Sequence, residues 1–97
     1  MTTLLLNKLR DFFSTRSVEK VWVFGSFSRG EETNASDIDI LVRFPKDMTI
    51  GLGYFRMLDE LQDLCRRKVD LVEEEMLDPH VAECVNQERI LIYERGY

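Results

Sequence analysis

The sequence predicts a small α/β domain (α+β in its segregation): a mixed sheet with helices packed mainly on one face. Three observations carry this. Short β-rich runs alternate with longer stretches whose apolar residues recur at helical spacing. A glycine, a proline or a polar cluster separates each run from the next. The chain has 97 residues, enough for a single modest core and too few for two, so residues 1–97 are read as one domain.

In chain order, Leu5, Leu6, Leu9, Phe12 and Phe13 share one helical face, with Thr2 or Thr3 as cap candidates, giving a helix over 3–15. Lys20-Val-Trp-Val-Phe24 is a short strand that Gly25 ends. Ser26 to Arg29 can open a helical turn, and 30–36 is a polar loop. A second strand runs from Ile38 to Phe44 and stops at Pro45. Tyr54, Met57, Leu58, Leu61, Leu64 and Cys65 mark a helix over 52–67, whose last turn would hold Arg66, Arg67 and Lys68 at the negative end of its dipole. Val69–Val72 is a third strand. Asp78-Pro79 is a helix start, an Asp cap with proline at the first position, for a helix over 79–88. Ile90–Tyr93 is a short closing strand. Before that closing strand the order is α-β-α-β-α-β-α, with no repeat or low-complexity tract.

Composition narrows the function. The net charge of −5 argues against a broad nucleic-acid surface, which needs a basic face. No apolar run approaches the roughly 18 residues of a membrane span, and Met1-Thr-Thr-Leu-Leu-Leu-Asn-Lys8 is not a signal peptide. The expectation is a cytoplasmic protein. Cys65 and Cys84 form no metal-binding or redox spacing. They read as reduced thiols in or near the core.

Two short motifs carry chemistry. Asp37 and Asp39 flank Ile38, so period two puts both carboxylates on one face while Ile38, Ile40 and Val42 face the core. Such a pair suits a divalent cation with oxygen ligands, Mg²⁺ above all. Taken alone, D-x-D is more often a solvated strand face. Gly25-Ser26 supplies a turn at which backbone N–H groups and a hydroxyl can meet phosphate; taken alone it is an ordinary strand-to-helix turn. Together, ten residues apart, they would arise by chance roughly once per thousand chains of this length.

Gly25-Ser26, ten residues, then Asp37-Ile-Asp39 resembles the signature of the DNA polymerase beta nucleotidyltransferase superfamily. The fuller stretch, Gly25-Ser-Phe-Ser-Arg-Gly30 with Ser36-Asp-Ile-Asp-Ile-Leu-Val42, is similar to the minimal nucleotidyltransferases found as antitoxins beside HEPN-domain toxins. The resemblance spans residues 18–93. It implies a polymerase-beta-like fold and Mg²⁺-dependent transfer of AMP from ATP, with two ions expected. Asp37 and Asp39 would hold the metal, and Gly25 and Ser26 would cradle the β and γ phosphates. The family's third carboxylate falls on Asp70, in Lys68-Val-Asp-Leu-Val72, as a metal ligand and base for the attacking hydroxyl. Arg29 would reach the nucleotide phosphates or pair with an acidic neighbour. The implied partner is a HEPN toxin, adenylylated on a tyrosine. Two other readings stand beside this one: a binding-only antitoxin with a vestigial site, and transfer to a small-molecule hydroxyl. Glu73, Glu74 and Glu75 read as solvated, His80 as exposed, and Trp22 with Phe24 as core.

Overall fold

The structure, a computed structural model, describes residues 3–25, 30, 37–45 and 53–95. Its elements are α1 (Thr3–Ser14), β1 (Lys20–Phe24), β2 (Ile38–Arg43), α2 (Gly53–Cys65), β3 (Val69–Glu73), a 3₁₀ turn (Glu74–Met76), α3 (Pro79–Glu88) and β4 (Ile90–Glu94). The strands form one mixed sheet in the order β3-β2-β1-β4. β1 is antiparallel to β2 and to β4, and β2 is parallel to β3.

Alternation along the strands builds two cores of unequal size. Val21 and Val23 of β1, Ile38, Ile40 and Val42 of β2, and Val69 and Leu71 of β3 face one side. There they meet Leu9 and Phe13 of α1 and Met57, Leu61 and Cys65 of α2. On the opposite face Trp22 and Leu41 meet Val85 of α3, with Phe24, Val72 and Leu77 packed around them. Two helices therefore cover one face and the short α3 alone covers part of the other, as a predominantly one-sided arrangement requires. The expectation that Trp22 and Phe24 belong to a core holds.

The element ends have local causes. Asp78 accepts from the His80 N–H at 2.8 Å, and Pro79 opens α3, the cap that the sequence signals. α2 stops earlier than its apolar spacing suggests. Arg66 takes φ of 54° and donates its N–H to the Gln62 carbonyl at 2.8 Å, a left-handed helix end. Arg66, Arg67 and Lys68 thus follow the helix instead of forming its last turn. In β4 a bulge leaves Ile92 between the pairs Val21–Tyr93 and Trp22–Leu91, and Arg10 Nε donates to its carbonyl at 2.9 Å.

Two further sequence expectations are corrected. Both cysteines are free thiols, but only Cys65 is buried; Cys84 is exposed on α3. Burial raises the Cys65 thiol pKa, against the lowering pull of Arg67 and Lys8. Glu74 is not a solvated charge. It accepts from Arg43 Nε at 2.7 Å and from Arg89 Nη1 at 2.5 Å, and both guanidiniums lie over Trp22, at 5.3 and 4.5 Å from its ring centroid. The 3₁₀ turn over Glu74–Met76 is an addition to the sequence reading, because three residues show no period.

Candidate nucleotidyl-transfer site

The site is built where β1 ends and β2 begins. Parallel pairing sets Asp39 directly opposite Asp70, with Ile38 opposite Val69 and Ile40 opposite Leu71. Neighbouring strands lie about 4.8 Å apart and in-register residues project to the same face. The isoleucine–valine and isoleucine–leucine pairs turn into the larger core, so the two aspartates share the opposite face. Asp39 is half-buried and Asp70 exposed. Like charges at directly opposed positions repel, and a divalent cation held between two such carboxylates offsets that repulsion. Asp37, immediately before β2, is exposed.

Gly25 closes the arrangement from β1. Phe24 pairs with Asp39 across the antiparallel ladder, and Gly25 follows with φ of 70°. A Cβ placed on Gly25 would lie 2.3 Å from Asp39 Oδ2 and 3.2 Å from its carboxyl carbon. Glycine is needed here twice over, for the left-handed backbone and for the carboxylate that occupies the space of a side chain. The sequence explains this glycine by close approach of a phosphate; the structure adds close approach of Asp39. Gly30 also has φ of 70°, and among the described residues nothing lies within 4 Å of where its Cβ would be. Ser26 and Arg29, and the helical turn expected at 26–29, lie outside the described residues.

The donor set here is all carboxylate oxygen, which fits a hard divalent cation such as Mg²⁺ and does not suit a thiolate- or imidazole-seeking metal. His80, expected to be exposed, is exposed on α3. Among the described residues no three His, Cys, Asp or Glu side chains gather into a preformed metal cluster. Mg²⁺ commonly takes only one or two carboxylates and completes its shell with water and substrate phosphates, so Asp39, Asp70 and Asp37 suit an ion that arrives with its nucleotide.

Tyr54 of α2 was not legible as a site neighbour, because its spacing reads as a core position. Its hydroxyl donates to the Leu71 carbonyl. Burial raises its pKa, and the carboxylates of Asp70 and Glu73 raise it further. Gln62 acts alongside, accepting from the Val69 N–H at 3.2 Å. The Lys68 carbonyl bonds to Ile38 at 3.0 Å and so faces β2; by alternation Val69 and Leu71 turn their backbone groups to the open edge of the sheet. Tyr54 and Gln62 therefore hold β3, and with it Asp70, from the outside.

A mixed sheet that presents paired aspartates on adjacent parallel strands, beside a left-handed glycine at the end of a third, is the framework of a nucleotidyl-transfer domain. The chain belongs to the polymerase beta nucleotidyltransferase family, whose signature matches residues 7–97. It is 34% identical over 85 residues to the protein adenylyltransferase MntA of Thermococcus cleftensis, covering 88% of this chain and 82% of that one. Solved structures share the fold. A toxin-antitoxin structure with AMP-PNP superposes with a TM-score of 0.78 at 22% identity, over 93% of this chain and 73% of the other. A complex of tri-AMPylated Shewanella oneidensis HEPN toxin with MNT antitoxin gives 0.74 at 21% identity, over 98% and 74%. The polymerase-beta-like fold expected from the sequence is thereby established.

Proposed function

We propose that this protein is an Mg²⁺-dependent protein adenylyltransferase that moves AMP from ATP to a hydroxyl, a tyrosine in our reading, of a HEPN-domain toxin and so acts as its antitoxin. The observation that carries the reading is the in-register pair Asp39–Asp70 with Gly25 packed against the Asp39 carboxylate. Family membership supports the reaction class. The relative named protein adenylyltransferase MntA supports AMP as the group and protein as the acceptor, and the AMPylated HEPN toxin complex supports the partner.

Asp37 and Asp39 would hold the metal, with Asp70 a further ligand. When bound, Mg²⁺ supplies positive charge that offsets the triphosphate and the developing charge on the leaving pyrophosphate. The remaining work falls to the chain. Gly25 and Ser26 would cradle the β and γ phosphates, and Arg29 would add a cation to them. Asp70, exposed at the sheet edge, is the base: its carboxylate takes the proton of the attacking hydroxyl. The hydroxyl oxygen bonds to the α-phosphorus as the bond to the bridging oxygen of pyrophosphate breaks, and pyrophosphate leaves. An in-line attack needs acceptor and leaving group on opposite sides of that phosphorus. Gly25 on β1 and Asp70 on β3 flank Asp39 from the two sides, which suits that requirement. No helix among the described residues is long and apolar enough to cross a membrane.

The test is direct. The purified protein is mixed with a HEPN-domain protein from the same genome, sought in the neighbouring reading frame, with ATP and Mg²⁺, and intact masses are recorded. The HEPN protein gains mass in steps of one AMP, and peptide mapping places them on tyrosine. If the toxin is neutralised without a mass change, and Asp37→Ala neutralises it as well, the protein acts by binding alone.

A further inference from the structure

The rim of β3 beyond Asp70 carries a surface that the transfer chemistry does not use. Tyr54, Leu71, Val72, Glu73 and Met76 line a shallow groove of about 310 Å³ there. Met76 stands 76% exposed. Phe55, 62% exposed, extends the apolar surface, its ring edge-on to Tyr54 at 5.3 Å. A groove with exposed Met76 on its wall and exposed Phe55 beyond Tyr54 is the kind of apolar surface that binding sites use. The surroundings are acidic. Asp70, Glu73 and Glu75 make no ion pair among the described residues, whereas Glu74 between them is consumed by Arg43 and Arg89. Val72 lines the groove two residues from Asp70 on the same strand face, a separation of about 7 Å.

We propose that this groove is the docking surface for the acceptor protein, and that it receives an apolar or aromatic side chain flanked by lysine or arginine. The inference rests on the adenylyltransferase reading above. That chemistry requires the acceptor hydroxyl to come within hydrogen-bond reach of Asp70, so the segment that carries it must pass over the β3 rim. An apolar floor ringed by carboxylates that make no ion pair among the described residues selects a basic, amphipathic segment and repels an acidic one or a nucleic-acid backbone. The Tyr54–Leu71 and Gln62–Val69 bonds occupy edge groups of β3, so recognition falls to side chains in the groove and not to an added strand.

The experiment titrates a HEPN-domain protein from the same genome, sought in the neighbouring reading frame, calorimetrically into the parent and into Phe55→Asp, Met76→Asp and Glu75→Lys, without nucleotide. All three positions are exposed, and aspartate at the third position of α2 suits the positive end of that helix, so the variants fold. Leu4→Asp, at an exposed apolar position of α1, is the control. The dissociation constant rises at least about tenfold in each groove variant and stays parental in the control. Parental affinity in Phe55→Asp and Met76→Asp overturns the docking surface. So does absence of binding by the parent, or sedimentation showing that Met76→Asp abolishes self-association while leaving HEPN binding intact. Adenylylation is scored separately by intact mass. Groove-dependent binding without AMP transfer refutes the enzymatic reading and keeps the surface; transfer with no groove dependence does the reverse.

Discussion

Gly25 is the residue at which backbone and chemistry meet. Its φ of 70° and the 2.3 Å that would separate a Cβ from Asp39 Oδ2 leave alanine no comfortable solution. Gly25→Ala costs about 1–2 kcal/mol for the left-handed conformation, and it also displaces the Asp39 carboxylate. Thermal melts in chelator read the first effect, and loss of the stabilisation given by ATP with Mg²⁺ reads the second. Asp70→Asn behaves in the opposite way. Asp70 is exposed and faces a like charge across the ladder, so its neutralisation relieves repulsion. The variant melts no lower than the parent in chelator, yet loses AMP transfer; a drop of several degrees would make the carboxylate structural. At this scale the sequence was informative about identity more than about arrangement. Period two in Asp37-Ile-Asp39 placed the carboxylates away from the core. That Asp39 faces Asp70 in register depends on parallel pairing of strands some thirty residues apart, which no local pattern encodes.

Elements report on packing more than on chemistry. The cap of α3 is local and was readable: Asp78→Ala removes the 2.8 Å bond to the His80 N–H and destabilises the protein by about 1 kcal/mol in a denaturant titration. The bridge between elements was not readable. Glu74 in the 3₁₀ turn ties Arg43 of β2 to Arg89 after α3, and a run of three glutamates gives no sign of which one turns inward. Burial alone would raise the Glu74 carboxyl pKa, but the hydrogen bonds and charges of the two arginines outweigh it and hold the pKa below the ordinary value. A carboxylate with a depressed folded-state pKa contributes stability that is present above its unfolded pKa and lost as pH falls through the folded one. Glu74→Gln is therefore less stable than the parent by about 1–2 kcal/mol near pH 7. The gap closes as pH falls below about 4. Urea titrations at several pH values check this, and a gap that persists in acid would assign the loss to packing.

Across the whole molecule, the elements were legible because helical and strand periods are clean in both helices of the larger core and in β1 and β2. The second core was less so. Leu41 lies on the same strand face as Asp39, and its burial depends on Val85 of α3 meeting Trp22 across the sheet. That small core puts a covered surface beside the aspartates, so the site sits at the rim of a packed face. Linkage gives the global signature. On the proposed function, ATP at a hundredfold excess over its dissociation constant adds about 2.7 kcal/mol, a rise on the order of ten degrees in melting temperature for a domain of this size.

The central claim is that carboxylates and substrate phosphates hold the metal jointly, and calorimetric titration of ATP with Mg²⁺ and again with chelator tests it most directly, on the parent and on Asp37→Asn. The account predicts binding to the parent only with Mg²⁺, because the bare polyanion is repelled by the aspartates, and binding at least about tenfold weaker to Asp37→Asn. Equal affinity of the parent with and without the cation, or parental affinity in Asp37→Asn, would contradict it.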